Sequence, residues 1–136
     1  MSHDHTNLHI LVVEDDEDSR HAFMEMLGIL GHETWGAADA EGALLVAENL
    51  ALDLVVLDIG LPGVDGFDLA RRLRRLENGG AMRIVALTGR RPEGSEDEAR
   101  RSGIDDWLVK PIGIAGFRAV EVATRCATPV GSIAMS

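Results

Sequence analysis

Cysteine and long apolar runs are nearly absent from this sequence of 136 residues. Cys126 is the single cysteine, which excludes an internal disulfide and is compatible with a reducing, cytoplasmic setting. No apolar stretch approaches the roughly 18 residues of a membrane-spanning helix. The start of the chain, MSHDHTN, lacks the apolar core found in signal peptides. We therefore expect a cytoplasmic protein without a membrane-inserted segment.

Positive charge is also in short supply. The chain has 13 lysines and arginines against 23 aspartates and glutamates, which gives a formal net charge of −10. Phosphate-rich polymers and anionic membranes repel a surface of this sign. We therefore expect no direct binding to nucleic acid. The arginines between positions 71 and 75 are interpreted as a solvated helix face paired with nearby acids.

Short apolar runs alternate with longer amphipathic segments along the chain. The predicted strands are LHILVV (8–13), HETWGA (32–37), DLVVLD (53–58), MRIVALT (82–88) and DWLVK (106–110). The predicted helices cover about 19–30, 40–50, 67 to the glycines at 79 and 80, 92–102 and 114–125. Five βα repeats without hairpin signals predict a parallel sheet with helices on both faces. We expect one domain over 9–126, with flexible segments at 1–8 and 127–136.

Polar residues follow four of these apolar runs, at the point where each predicted strand ends. They are Glu14, Asp15 and Asp16 after the first strand, Asp58 at the third, Thr88 at the fourth and Lys110 at the fifth. In open parallel sheets, ligands bind outside the carboxyl ends of the strands. We therefore expect acidic groups, a hydroxyl and an ammonium to converge on one rim of the sheet.

The chemistry of this set points to phosphoryl transfer with a metal ion. Crowded carboxylates repel each other unless a cation lies among them, and oxygen ligands favour a hard ion such as Mg²⁺ or Mn²⁺. Lys110 and Thr88 offer a positive charge and a hydrogen-bond donor to phosphoryl oxygens. Asp58 is the candidate nucleophile, because a carboxylate can form an aspartyl-phosphate. Gly60, two residues later, lets the backbone approach an ion.

Four motifs together carry a family resemblance. VVEDD (12–16), VLDIGLPGVDG (56–66), ALTG (86–89) and LVKP (108–111) each stand at a predicted strand end, in this order. With these motifs the chain resembles the receiver domain of two-component response regulators, from about residue 9 to residue 125. The resemblance implies an α/β fold of the flavodoxin-like (βα)5 type. Its five parallel strands would have the order 2-1-3-4-5, with helices on both faces.

The resemblance also implies roles at the rim. Asp58 would accept a phosphoryl group from a phosphohistidine on a sensor histidine kinase or a histidine phosphotransfer protein. Asp15 and Asp58 would bind Mg²⁺ through their carboxylates, Gly60 through its backbone carbonyl and Glu14 through a metal-bound water. Lys110 would pair with the phosphoryl group.

Switching is implied for a second set of residues. Thr88 would turn its hydroxyl toward the phosphoryl group. Gly89 and Arg90 follow it, and Arg90 would lie near enough to the phosphate to influence hydrolysis. Trp107 stands where the family usually has Tyr, Phe or His, and it either swings inward with Thr88 or simply packs the last strand. The peptide before Pro111 would be cis.

The implied output is a change in protein contacts. Phosphorylation would reorganise the face that runs from the fourth helix to the fifth and alter affinity for a downstream protein target. Receivers often dimerise through the face next to the last strand, so a homodimer is among the expected states. The chemistry would be self-catalysed phosphotransfer and autodephosphorylation, and the chain would not be an enzyme.

Two alternatives use the same residues. A Mg²⁺-dependent phosphohydrolase of the haloacid dehalogenase type also has an aspartate nucleophile at a strand end. Such enzymes carry a second Asp two residues later, where this chain has Gly60, and their nucleophile usually follows the first strand. The other alternative is a degenerate receiver that binds a partner without phosphate. The complete set Asp15, Asp58, Thr88 and Lys110 argues against it.

Overall fold

Five strands alternate with five helices in the part of the chain that the structure describes. The structure is a computed structural model, and it describes residues 7–60, 65–77, 79–89 and 96–134. The elements are β1 His9–Val13, α1 Glu17–Ile29, β2 Glu33–Ala37, α2 Ala40–Asn49, β3 Leu54–Asp58, α3 Gly66–Arg74, β4 Arg83–Thr88, α4 Glu96–Ser102, β5 Asp106–Val109 and α5 Ile114–Ala134. The βα alternation predicted from the sequence is confirmed.

All strand pairs in the sheet are parallel, and the strand order is β2-β1-β3-β4-β5. This is the flavodoxin-like order that the family resemblance implied. The central strand β3 is buried along its whole length. Because successive side chains of a strand point to opposite faces, its aliphatic residues contribute to two separate cores.

The two cores lie on opposite faces of the sheet. One contains Leu11 and Val55 together with buried residues of α2 and α3. The other contains Ile10 and Leu54 together with Leu27 of α1 and Phe117 of α5. Helices therefore cover both faces and leave the strand ends open.

Helix starts follow the capping chemistry of the sequence. Asp16 accepts a hydrogen bond from Ser19 N at 2.8 Å, so α1 begins at Glu17, two residues before the predicted start. Asp39 caps α2 in the same way through Gly42 N at 2.8 Å, and α2 begins at Ala40, the predicted start. An aspartate at this position satisfies backbone N–H groups that the first helical turn leaves without partners.

The two ends of the chain differ from the expected boundaries. Leu8 is buried against the α1–α5 face, so the folded part begins before residue 9. Helix α5 continues to Ala134, whereas the sequence predicted an end near Arg125. The sequence of this last stretch contains Pro129 and Gly131, which are poor helix formers, so its composition favoured an earlier end. The predicted flexibility of residues 1–6 lies outside the described residues. No helix among the described residues is long and apolar enough to cross a membrane.

Candidate functional site

Three carboxylates meet at the carboxyl rim of the two central strands. Glu14 follows β1 directly, and Asp58 is the last residue of β3, next to the registered pair Val13 and Leu57. One carboxylate oxygen from each of Glu14, Asp15 and Asp58 lies within 4.8 Å of the others. Glu14 and Asp58 are buried, and Asp15 is exposed. The predicted convergence is therefore present for these three carboxylates.

Lys110 brings a positive charge into this cluster from β5. Its Nζ lies 2.9 Å from Asp58 Oδ2 and 3.1 Å from Glu14 Oε1. The lysine backbone N–H donates to the Thr88 carbonyl at 2.8 Å. This bond continues the β4–β5 hydrogen-bond ladder by one residue. The backbone of Lys110 is therefore fixed by the sheet at a position from which its ammonium contacts the carboxylates.

Hydrogen bonds hold both buried carboxylates. Asp58 Oδ1 accepts from Gly60 N at 2.8 Å, and Glu14 Oε2 accepts from Asp16 N at 3.2 Å. The turn after β3 and the loop after β1 thus each donate a backbone N–H toward the cluster. The second oxygen of each carboxylate faces Lys110.

The three ionisable groups influence each other's charge. Burial raises the pKa of Glu14 above its ordinary value, and the neighbouring Asp58 adds to this rise. Burial also opposes ionisation of Asp58, but the hydrogen bonds from Lys110 and Gly60 outweigh it, and the pKa of Asp58 is lowered. Burial alone would lower the pKa of Lys110, but its two carboxylate partners raise it. Asp58 is therefore an anion and Lys110 a cation at neutral pH.

This donor set fits a hard divalent cation. Three carboxylates and one ammonium lie in the cluster, and burial raises the pKa of Glu14, so a cation bound among the carboxylates would favour the charged form of this side chain. All the donors are oxygens, which suit Mg²⁺ better than softer metals. The exposed Asp15 leaves the cluster open to solvent, from which an ion and a phosphoryl group can enter.

The remaining predicted residues lie around this centre. Thr88 is the half-buried last residue of β4, and Gly89 after it is exposed. The Lys110–Pro111 peptide is cis, as the resemblance implied. Trp107 is partly buried in β5, where its ring meets the edge of the Phe67 ring at 6.4 Å. Arg90 lies outside the described residues.

An apolar groove opens beside the carboxylates, between α1 and the connection from β5 to α5. Its volume is about 530 Å³, and Glu14 and Lys110 line it at the carboxylate cluster. Its apolar lining includes Ala22, Phe23 and Met26 from α1 and Pro111 and Ile112 from the connection. Sequence reasoning missed this groove, because its walls are far apart in the chain.

Sequence reasoning also missed a second cation near the acids. Arg20, in the first turns of α1, donates from Nη1 to the carbonyl of Glu14 at 2.9 Å. It carries no motif in the sequence, and its side chain reaches backwards along the helix to the loop that holds Glu14 and Asp15. The available signal was its spacing of one to two helical turns from the acidic pair.

Fold and site together define a parallel α/β domain whose acidic rim suits a metal ion and a phosphoryl group. A family model described as the response regulator receiver domain matches residues 10–120. The chain therefore belongs to the response regulator receiver domain family, as its motifs implied, and has a role in two-component signalling.

Relatives of this chain occur in regulators and in sensor proteins. The transcriptional regulatory protein AfsQ1 of Streptomyces coelicolor is 38% identical over 103 residues, which cover 76% of this chain and 44% of the relative. The virulence sensor protein BvgS of Bordetella bronchiseptica is 36% identical over 131 residues, which cover 90% of this chain and 10% of the relative. The chain thus spans less than half the length of either protein.

A solved structure of a sensor-kinase receiver has the same fold. The receiver domain of the sensor histidine kinase PA1611 from Pseudomonas aeruginosa is 30% identical and superposes with a TM-score of 0.78. The match covers 88% of this chain and 98% of that domain. That structure contains a magnesium ion coordinated in its active-site cleft.

Proposed function

We propose that this chain is a phosphoacceptor in a two-component pathway or phosphorelay, and that Asp58 receives the phosphoryl group. The observation that carries the proposal is the position of Asp58. Its carboxylate lies 2.9 Å from Lys110 and inside the cluster with Glu14 and Asp15. An ionised carboxylate at the open end of a central strand is a competent nucleophile toward phosphorus.

The transfer forms one bond and breaks one. A carboxylate oxygen of Asp58 bonds to phosphorus, and the phosphorus–nitrogen bond to the donor imidazole breaks, with its electron pair left on nitrogen. Lys110 neutralises negative charge on the phosphoryl oxygens, and Thr88 donates a hydrogen bond to them. Gly60 N holds one oxygen of Asp58 before and during the reaction.

Mg²⁺ or Mn²⁺ is the proposed cofactor. Asp15 and Asp58 would hold it through carboxylates, Gly60 through its carbonyl and Glu14 through water, and the ion would supply charge stabilisation to the phosphoryl oxygens. The oxygen-only donor set and its excess negative charge support this assignment. The magnesium ion in the related sensor-kinase receiver supports it as well.

The proposed consequence is a switch. Thr88 would move toward the phosphoryl group, and the surface of α4, β5 and α5 would change its affinity for a downstream protein or a second copy of the chain. Trp107 lies on β5 with its ring against Phe67. It therefore takes part only if that contact opens, and otherwise it packs the strand.

The proposed donor is a sensor histidine kinase or a histidine phosphotransfer protein, which places the reaction in the cytoplasm. The groove beside Lys110 offers apolar area for such a partner. Ala22 is exposed on its α1 wall, so Ala22→Glu should slow transfer from a phosphohistidine protein several-fold. The variant should react with acetyl phosphate at the wild-type rate, because a small donor needs no docking surface. Equal slowing with both donors would contradict this role for the groove.

The phosphoacceptor itself is tested by intact-mass measurement. With Mg²⁺ and acetyl phosphate or phosphoramidate, the protein should gain the mass of one phosphoryl group, and Asp58→Asn should gain none. Asp53→Asn is the matched control, since Asp53 lies at the opposite end of β3 and should leave labelling intact. Labelling that persists in Asp58→Asn would overturn the assignment. Steady release of phosphate from a generic phosphomonoester would instead favour the phosphohydrolase. Absence of labelling in the wild-type protein would favour a receiver that binds its partner without phosphate.

A further inference from the structure

The backbone of Glu14 is held from two sides at the edge of the site. Its N–H donates to the Ala37 carbonyl at 3.0 Å, and its carbonyl accepts from Arg20 Nη1 at 2.9 Å. The carbonyl that Arg20 holds belongs to the peptide that joins Glu14 to Asp15. A rotation of this peptide would turn the Asp15 side chain away from the other two carboxylates.

Arg20 reaches this carbonyl over a strand position that has no side chain. Gly36 lies in β2, paired with Val12 of β1. A Cβ added at Gly36 would lie 3.1 Å from Arg20 Cδ and 2.8 Å from Met24 Sδ. The glycine therefore provides the space through which the arginine crosses the sheet edge, which is a common reason for a glycine inside a strand.

We propose that Arg20, seated over Gly36, is a positioning residue that fixes the Glu14–Asp15 peptide so that the Asp15 carboxylate faces Asp58 and the metal site. The inference rests on the proposed function for the identity of the ion. It adds a residue from outside the acidic rim to the machinery. It also ties that residue to a glycine on the edge strand.

A purely electrostatic role and a positioning role of Arg20 predict opposite changes in Mg²⁺ affinity when its guanidinium is removed. If the guanidinium acted only as a nearby positive charge, its removal would strengthen Mg²⁺ binding, because cation repulsion would fall. If the guanidinium holds the peptide, its removal lets Asp15 turn away and weakens Mg²⁺ binding. The sign of the change in affinity therefore separates the two roles.

The experiment is a calorimetric titration of the unphosphorylated protein with Mg²⁺. Arg20→Met keeps the length of the side chain but removes its donors, and should weaken binding about tenfold, the lower end for residues that orient metal ligands. Arg20→Lys, which keeps the charge and a single donor group, should recover part of this loss. Gly36→Ala leaves Arg20 intact but pushes it off its path, and should weaken binding in the same direction.

A double variant tests whether Arg20 and Gly36 act through the same contact. Arg20→Met with Gly36→Ala should bind Mg²⁺ no more weakly than Arg20→Met alone, because both changes remove the same contact. Amide hydrogen exchange at Asp16, whose N–H donates to Glu14 Oε2 at 3.2 Å, should speed up in Arg20→Met, Gly36→Ala and the double variant. This exchange reports the local peptide without any metal or phosphate.

The controls are two substitutions at residues away from Arg20 and Gly36. Gly28→Ala adds a methyl group to α1 where no atom lies within 4 Å, and Arg72→Met removes an exposed arginine from α3. Neither should change Mg²⁺ affinity, and thermal unfolding would verify that every variant is folded. Unchanged or tighter binding by Arg20→Met, or additive losses in the double variant, would overturn the inference. Absence of Mg²⁺ binding by the wild type would overturn the proposed metal site itself, which is a separate result.

Discussion

Two carboxylate sites in this molecule have opposite charge balance. At the carboxyl rim, Lys110 pairs with Glu14 and Asp58, and the carboxylate of Asp15 lies beside them. Inside the α1–α5 face, Glu121 is a single carboxylate with a side chain 1% exposed. His32 Nε2 at 2.5 Å and Arg118 Nη1 at 2.9 Å are its hydrogen-bond partners, and Arg125 Nη2 forms an ion pair with it at 3.4 Å.

The hydrogen bonds of His32 explain why the Glu121 group is complete. His32 Nδ1 accepts from Leu8 N at 3.0 Å, so the proton of the neutral ring lies on Nε2 and is donated to Glu121. The pair joins the start of β2 to α5 across 89 positions of sequence. A carboxylate with all its donors in place stabilises the fold. Carboxylates with too few cations, as at the rim, remain available for a metal and a phosphoryl group.

The largest expected effect comes from removing the charge of the complete group. Glu121→Gln should lower the free energy of unfolding by about 2 kcal/mol, within the range for losing hydrogen bonds to a buried charged group. The side chain stays the same size, but the hydrogen bonds from His32 and Arg118 weaken and the ion pair with Arg125 is lost. Urea unfolding at pH 7 measures the loss. Glu48→Gln, on the exposed face of α2, is the matched control, and an equal loss in both variants would contradict the comparison.

The same variant predicts how stability depends on pH. Burial would raise the pKa of Glu121, but the hydrogen bonds from His32 and Arg118 outweigh it and keep the pKa below its ordinary value of 4.5. A depressed pKa stabilises the fold above the unfolded value, and the contribution is lost as the pH falls through the folded value. The stability difference between wild type and Glu121→Gln should therefore be constant near neutrality and shrink below about pH 4.5. A difference that grows on acidification would contradict the assignment of charge.

Much of the rim could be predicted from the sequence, because parallel strands end at a common edge. Glu14, Asp58 and Lys110 each follow an apolar run directly, so strand order alone brings them together. Local chemistry also marked the start of α2, where Asp39 caps the helix. These features depend on residues near each other in sequence or on the general geometry of a parallel sheet.

Contacts that depend on side-chain paths could not be predicted. Arg20 reaches Glu14 only because Gly36, 16 positions later in another strand, leaves space. His32 and Glu121 meet only through the packing of α5 on β1 and β3, and neither residue belongs to a motif. The end of α5 was misplaced for a different reason, since Pro129 and Gly131 in this stretch are poor helix formers and favoured an earlier end.

A smaller effect, a gain in stability, is expected when Glu14 at the carboxyl rim is replaced. Burial and the nearby Asp58 raise the pKa of Glu14, so its charge at neutral pH costs stability in the folded state. Glu14→Gln should therefore raise the free energy of unfolding by about 1 kcal/mol, a usual gain when a strained functional residue is neutralised. The measurement is thermal unfolding in EDTA at pH 7.

Low pH and bound Mg²⁺ should each remove the stability advantage of Glu14→Gln, and the effect of Mg²⁺ connects this residue to the proposed function. The advantage of Glu14→Gln should disappear as the pH falls through the folded pKa of Glu14 toward 4.5, since the wild-type residue is then neutral as well. Saturating Mg²⁺ should stabilise the wild type more than the variant, because only the wild type has all three carboxylates for the ion. A Glu14→Gln protein that is less stable than the wild type in EDTA would mean that Lys110 and Asp16 N satisfy Glu14 as fully as Glu121 is satisfied. The rim carboxylates and Glu121 would then not differ in how fully their charge is compensated.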